Sequence, residues 1–267
     1  MIIAQISDTH IAVDAPDADQ RIRDFALAVA DINTLDPAPD AIVHTGDIVH
    51  NGRRDEYAQA AAILATALAP VYVLAGNKDN RANLREAFSA REYLSAKSDF
   101  IDYAVDDFPV RLIALDTLSS TSNKGDFCNE RIGRLIDLID ADTTRPVAVL
   151  MHHPPFEVRV GPDPLNFETP EILSELRHAL LRSGQIVAIF SGHVHRAAAG
   201  HVGSIPATVV PCIATTLRKG EYPTHMKDRP VYHVHRFDPV WGFATETRIV
   251  GSAFGECDRC EPSGQQG

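Results

Sequence analysis

Five short polar segments, each directly after an apolar run typical of a β-strand, constrain most strongly what this chain can fold into. The apolar runs are IIAQIS, AIVHT, VYVLA, PVAVLM and IVAIFS, and the polar segments after them begin at Asp8, Gly46, Gly76, His152 and Gly192. Side chains just past the carboxyl ends of several strands converge on one crevice in an open α/β sheet. We therefore expect the five segments to meet at one site.

The N-terminal part alternates strand and helix patterns. Predicted helices over 20–35 and 54–68 separate predicted strands at 2–7, 41–45 and 71–75. This βαβαβ order predicts parallel strands joined by right-handed crossovers.

The remainder mixes further strands and helices. The runs FIDYAV and VRLIALD flank a short turn and predict a β-hairpin. Two more helices are predicted at 129–140 and 170–182, and further strands are predicted at 146–151, 185–190, 207–214, 231–237 and 244–250. The alternation predicts an α/β fold of two mixed sheets stacked on each other, with helices outside.

Length, composition and charge narrow the function classes. The chain has 267 residues, 45% of them hydrophobic, which suits one domain over 1–250 followed by a polar tail over 251–267. The net charge of −11 disfavours a broad nucleic-acid-binding surface. A small anionic substrate remains compatible, because bound cations reverse the local charge that it meets.

The sequence also bears on cellular location and on the role of the C-terminal cysteine pair. There is no apolar run of about 18 residues, so no membrane span is expected. The N-terminus shows no signal-peptide pattern, which leads us to expect a cytoplasmic protein. The pair Cys257 and Cys260 lies in the polar tail without a second pair to complete a zinc site, so we expect no metal there.

The polar segments offer metal-binding side chains. Asp8 and His10 are two residues apart, a spacing that would put both side chains on one face of a continuing strand. The Asp47 carboxylate has two oxygens and can bridge two cations, and the Asn77 amide is a neutral ligand. Taken singly, each segment also fits an ordinary turn. Together they supply the oxygen and nitrogen donors that first-row divalent metals accept.

Three pairs of histidines differ in what they predict. His152 and His153 are adjacent, so their side chains diverge on an extended segment and one ligand is expected from the pair. His193 and His195 repeat the two-residue spacing after a glycine. His233 and His235 share that spacing but lie inside a late strand, and we interpret them as structural.

In this order, the segments resemble the calcineurin-like metallophosphoesterase superfamily, and they are most similar to bacterial class III cyclic-nucleotide and glycerophosphodiester phosphodiesterases. The resemblance rests on Asp8-x-His10, Gly46-Asp47, Gly76-Asn77-Lys78-Asp79, His152 and Gly192-His193-Val194-His195. It implies a four-layer αββα sandwich and two divalent metal ions, iron, manganese or zinc. By residue match, the two sets of metal ligands would be Asp8, His10, Asp47 and His195 for one ion, and Asp47, Asn77, His152 and His193 for the other. The resemblance also points to a homodimer formed through a segment near 215–232.

One position departs from the family pattern G-N-H-[DE]. Lys78 stands where the family has a substrate-contacting histidine. Our hypothesis is that Lys78 clamps the phosphoryl oxygens electrostatically, with Asp47 and Asn77 as the other catalytic positions. The alternative is that Lys78 points outward and pairs with Asp79. His50 or His153 would then supply the missing imidazole to the substrate.

The resemblance implies hydrolysis of a small phosphodiester, such as a cyclic nucleotide or a glycerophosphodiester, by a hydroxide held by the metals. No Gly-x-Ser-x-Gly elbow or Walker loop offers another mechanism. Two alternatives stay open: a phosphomonoesterase or protein phosphatase at the same site, and a catalytically silent metal-binding scaffold. Substrate choice is expected to depend on the loops near 50–55, 120–128 and 156–168.

Overall fold

The computed structural model describes residues 1–95, 98–159 and 163–251, so Cys257 and Cys260 lie outside the described residues. The first sheet contains β1 (Ile2–Ile6), β2 (Ala41–His44), β3 (Val71–Val73), β10 (Val231–Asp238) and β11 (Gly242–Ile249). The second sheet contains β4 (Tyr103–Val105), β5 (Arg111–Leu115), β6 (Val147–Met151), β7 (Ile186–Ser191), β8 (Ala198–Val202) and β9 (Ile205–Val209). The helices are α1 (Ala18–Ile32), α2 (Arg54–Leu64), α3 (Arg81–Ala87), α4 (Asn129–Asp140), α5 (Pro170–Leu181) and the short α6 (Thr224–Lys227).

Both sheets are mixed, as the sequence predicts. The strand order is β11-β10-β1-β2-β3 in the first sheet and β4-β5-β6-β7-β9-β8 in the second. In the first sheet β1, β2 and β3 are parallel, which confirms the βαβαβ prediction. In the second sheet β4 and β5 form the predicted antiparallel hairpin, and β5, β6, β7 and β9 run parallel.

The sheets pack against each other because successive residues of a strand point to opposite faces. In β6, Leu150 joins the apolar cluster that includes the first sheet, whereas Val149 joins the cluster with Leu135 of α4 and Leu176 of α5. Helix α1 packs on the first sheet, where the Phe25 ring meets His44 of β2. This layering matches the predicted arrangement of two sheets with helices outside.

Four elements differ from the predictions. Helix α2 ends at Leu64 rather than at residue 68, because Asn33 captures the following turn: its side chain bonds the Thr66 carbonyl and the Leu68 amide, both at 2.9 Å. The predicted strand over 207–214 ends at Val209 and pairs with β8, which the sequence analysis did not identify. β8 contains small and polar residues at a sheet edge and therefore lacks an apolar signal. Helix α3 was also not predicted.

The segment near 215–232 contains a 3-10 turn at Thr215–Leu217 and helix α6. The Arg218 guanidinium folds this segment onto itself by donating to the carbonyls of Met226, Lys227 and Arg229. Its role in dimerisation stays a prediction. Across residues 1–95, 98–159 and 163–251, no helix combines the length and the apolar character needed to span a bilayer.

A buried polar network joins the two sheets. Gln5 of β1 donates its amide to the Thr45 hydroxyl and to the Ser191 carbonyl of β7, both at 3.0 Å. Its carbonyl oxygen accepts from His235 Nε2 at 2.9 Å, and His235 Nδ1 accepts from the Thr245 hydroxyl at 2.8 Å. Burial holds the pKa of His235 well below its usual range, so the ring is neutral. His235 therefore lies in the interior in a structural setting, as interpreted from the sequence.

We expect Gln5→Leu to lower the free energy of unfolding by about 1 to 3 kcal/mol, because it leaves the buried Nε2 of His235 without a partner. It also removes one of the two hydrogen bonds to the Ser191 carbonyl, which keeps the bond from the Val210 amide. Thr247→Ala, at an exposed position of β11, is the matched control and should change it by less than about 0.5 kcal/mol. Urea unfolding followed by circular dichroism measures both. Equal stability of the two variants would contradict the role assigned to this network.

Candidate metal centre

The five polar segments meet at one site. They follow β1, β2, β3, β6 and β7, whose carboxyl ends face the same end of the two sheets. Backbone hydrogen bonds join the segments directly: Asp8 N donates to Gly46 O, His10 N to Asp47 O, and Gly192 N to His152 O, each at 3.0 Å. The convergence predicted from the strand ends is therefore present, and it draws ligands from both sheets.

The backbone at this site is unusual. Among the described residues, the non-glycine residues with positive φ are Asp8 (55°), His10 (45°), Asp47 (51°), His193 (75°) and His195 (59°). Left-handed backbone is sterically costly for L-residues and clusters at functional sites. Asp8 and His10 thus reach the site through two left-handed turns after β1 ends at Ile6, and not as one face of a continuing strand, as the sequence analysis assumed.

The first group of donors consists of Asp8, His10, Asp47 and His195. His10 Nε2 lies 3.0 Å from His195 Nε2 and 3.6 Å from Asp47 Oδ2, and His195 Nε2 lies 3.4 Å from Asp8 Oδ1. The buried Asp8 Oδ1 has no hydrogen-bond partner among the described residues. Ligands about 2.0–2.2 Å from one ion lie at such separations from each other, so the group fits a single divalent cation.

The second group lies on the other side of Asp47. Asn77 Oδ1 is 3.0 Å from His152 Nε2 and 2.9 Å from His193 Nδ1. Asp47 Oδ1 is 3.5 Å from His152 Nε2, whereas Asp47 Oδ2 faces the first group. The two carboxylate oxygens of Asp47 are therefore divided between the two groups, as a bridging ligand requires.

Neighbouring carbonyls set which ring nitrogens face the site. His152 Nδ1 lies 2.8 Å from the Thr45 carbonyl, and His195 Nδ1 lies 3.0 Å from the Leu217 carbonyl. Because a carbonyl only accepts, each Nδ1 carries the proton and donates it, which leaves Nε2 directed at the site. Such partners orient the histidine ligands of metal sites.

The electrostatics of the site couple Asp47 to His152. Burial alone would raise the pKa of Asp47, but His152 outweighs it and brings that pKa to about 2. Burial alone would lower the pKa of His152, but the Asp47 carboxylate raises it to about 9. Burial lowers the pKa of His193 to about 3, so this imidazole is neutral and able to act as a ligand.

Asp79 supports the site from inside the protein. Its buried carboxylate accepts from the amides of Gly76 at 2.8 Å, Ile48 at 3.2 Å and Val49 at 3.4 Å, and from the Tyr57 hydroxyl at 2.8 Å. The Gly76 and Ile48 amides belong to the residues next to the candidate ligands Asn77 and Asp47. Burial raises the pKa of Asp79 to about 7. This role of Asp79 was not predicted from the sequence.

Lys78 does not form the outward pair with Asp79 that was considered as an alternative, since Asp79 is directed into the interior. Lys78 Nζ instead donates to Asn123 Oδ1 at 3.1 Å. Its backbone amide donates to Asp47 Oδ1 at 2.7 Å, which places Lys78 directly beside the shared carboxylate.

His50 and His153 lie near the site in different settings. The His50 ring packs edge-on against His10 with 5.6 Å between centroids, and burial lowers its pKa. His153 lies within ligand distance of His152 and His193, but both of its nitrogens are engaged. Nε2 donates to the Asn123 carbonyl at 3.1 Å, and Nδ1 accepts from the Thr117 hydroxyl at 2.8 Å. We therefore assign Asn77, and not His153, to the second group.

Asn123 lies in the loop near 120–128 on which substrate choice was expected to depend, but no role of the residue itself was predicted from the sequence. A signal was present, because the polar stretch around Asn123 follows the carboxyl end of β5 as the five ligand segments follow theirs. The stretch around Asn123 contains no histidine and no Asp-x-His pair, so it does not have the pattern of a metal-binding segment.

Gly76 is required for the close approach of two ligand loops. A Cβ at this position would lie 2.2 Å from Asp47 N and 2.3 Å from Asp47 Oδ1. We expect Gly76→Ala to displace the carboxylate and weaken metal binding by roughly tenfold or more. Gly133→Ala in α4, where a Cβ meets nothing within 4 Å, is the matched control. Metal content after dialysis, measured by elemental analysis, compares the variants, and full retention of metal by Gly76→Ala would refute the packing argument.

Comparison with known proteins agrees with this geometry. Residues 1–197 match the model of the calcineurin-like phosphoesterase family. The chain is 29% identical to a probable glycerophosphodiester phosphodiesterase of Arcobacter nitrofigilis over 94% of each chain, and 31% identical to a glycerophosphodiester phosphodiesterase of Enterobacter lignolyticus over 78% of each. Its fold is similar to that of a dimetal phosphatase from Danio rerio, with a TM-score of 0.68 at 15% identity, covering 94% of this chain and 99% of that one. The chain therefore belongs to the calcineurin-like phosphoesterase family.

Proposed function

We propose that this protein is a metal-dependent hydrolase of small phosphodiesters. The observation that carries the proposal is the division of the Asp47 carboxylate between two groups of donors in one crevice. The relatives from Arcobacter nitrofigilis and Enterobacter lignolyticus, which carry glycerophosphodiester phosphodiesterase names and match most of the chain, support the same substrate class.

In this proposal, Asp8, His10, Asp47 and His195 hold one divalent ion, and Asp47, Asn77, His152 and His193 hold the second. The mixture of carboxylate, amide and imidazole donors suits iron, manganese or zinc. Such a metal pair, when bound, supplies Lewis acidity toward the phosphoryl group and activates water.

The chain's own residues orient the substrate. Lys78 brings a cation beside the shared carboxylate, held by its backbone bond to Asp47, and its ammonium can donate charge-assisted hydrogen bonds to phosphoryl oxygens. The Asp79 carboxylate, which Tyr57 holds, binds the backbone amides of Ile48 and Gly76, next to Asp47 and Asn77. These bonds keep the proposed ligands and Lys78 in the same relative positions during turnover.

Among the described residues, Cys212 is the cysteine beside the site, and its setting does not favour a nucleophile. The buried Cys212 thiol donates to the carbonyls of Asp8 and Ala214, at 3.0 and 3.3 Å. Burial raises the pKa of Cys212, which keeps it a thiol and not a reactive thiolate. This favours hydrolysis by activated water over a covalent intermediate on this residue.

We expect protein stripped of metal to be inactive, and added manganese to restore turnover of bis(p-nitrophenyl) phosphate in preference to p-nitrophenyl phosphate. The two esters share a leaving group, so their relative kcat/KM reports diester against monoester recognition. A glycerophosphodiester and a cyclic nucleotide, assayed in parallel, identify the natural class. Preference for the monoester would point to a phosphatase, and no turnover despite bound metal would point to a silent scaffold.

A further inference from the structure

Asn123 lies at the mouth of the crevice, on the loop between β5 and α4. Its side-chain oxygen accepts from Lys78 Nζ at 3.1 Å and from Asn77 Nδ2 at 3.3 Å. The Asn123 side chain is exposed, so it borders the space that a substrate enters. One exposed amide thus contacts a metal-ligand candidate and the cation beside it.

The loop that carries Asn123 is fixed on both sides of this residue. The Asn123 carbonyl accepts from His153 Nε2 at 3.1 Å. Before it, the Thr121 hydroxyl donates to Glu168 at 3.0 Å, and after it, Gly125 N donates to Asn166 O at 2.8 Å. The backbone of Asn123 is therefore held in place by the protein, with its side-chain oxygen within hydrogen-bond distance of Lys78 and Asn77.

A fixed, uncharged hydrogen-bond acceptor can hold a lysine side chain in one position and leave its charge intact. A free lysine side chain occupies many rotamers, and holding it in one of them costs conformational entropy. An ammonium has three N–H donors, so one bond to Asn123 leaves the others for phosphoryl oxygens. Because the amide is uncharged, it orients the Lys78 ammonium without neutralising it, whereas a carboxylate at this position would cancel the charge.

We propose that Asn123 is a positioning residue for substrate binding: it holds the Lys78 ammonium over the crevice, where that ammonium recognises the anionic phosphoryl group. This inference rests on the proposed function and deepens it. It also assigns a role to His153, which supports Asn123 through its carbonyl and does not itself contact the substrate.

The test is a double-mutant cycle on the full chain loaded with manganese, with bis(p-nitrophenyl) phosphate as the probe. We expect Asn123→Ala to raise KM roughly three- to tenfold while kcat changes less than about twofold. Asn123→Asp should raise KM further, because its carboxylate neutralises Lys78. Ser120→Ala, an exposed change on the same loop, is the control and should leave KM unchanged.

The cycle separates positioning from a merely structural role. If Asn123 acts through Lys78, Asn123→Ala should have little further effect on KM in a Lys78→Ala background. Equal effects in both backgrounds, or an unchanged KM in Asn123→Ala alone, would overturn the inference. If the wild-type protein does not cleave the diester, the proposed function fails instead. Calorimetric titration with inorganic phosphate then tests the pair on the wild type, Asn123→Ala, Lys78→Ala and the double variant. Asn123→Ala should raise the Kd for phosphate in the wild-type background and change it little in the Lys78→Ala background.

Discussion

The shared carboxylate of Asp47 is the group around which the site is arranged. One oxygen faces the ligands that follow β1 and β7, and the other faces those that follow β3, β6 and β7. Asp47 adopts a left-handed backbone with φ of 51°, and its Oδ1 accepts from the Lys78 amide. Gly46 and Gly76 pack so closely that a Cβ at Gly46 would lie 2.7 Å from Gly76 N. A small displacement of any of these groups would separate the two donor groups from each other.

Such a site opposes folding, and the rest of the molecule must offset its cost. Buried charges and left-handed backbones are unfavourable unless surrounding structure over-determines them. Here the support comes from the apolar cluster around both sheets, from the Gln5 network between them, and from Asp79, which satisfies amides next to the ligands. Cation binding to the donor groups would add to this support by mass action.

The sequence was sufficient to predict most of the strands, the parallel order of β1, β2 and β3, and the convergence of the candidate metal ligands, because each of their segments follows an apolar run and parallel strands share an end. Contacts between loops were harder to predict from the sequence. The end of α2 depends on Asn33, which lies on another element, and β8 has no apolar pattern. The hydrogen bond between Lys78 and Asn123 joins residues far apart in the chain, so it is visible only in the folded structure. The inward direction of Asp79 likewise could not be read from its place beside Lys78.

The most direct measurement is the metal stoichiometry of the wild-type protein and of Asp47→Ala, by calorimetric titration of metal-free protein with manganese. If Asp47 is shared by two ions, the wild type should bind two equivalents, and the variant should lose tight binding of at least one of them and most of its turnover. Asp140→Ala, which removes an exposed carboxylate at the end of α4, serves as the control and should behave as wild type. Two tightly bound equivalents and full activity in Asp47→Ala would contradict the account.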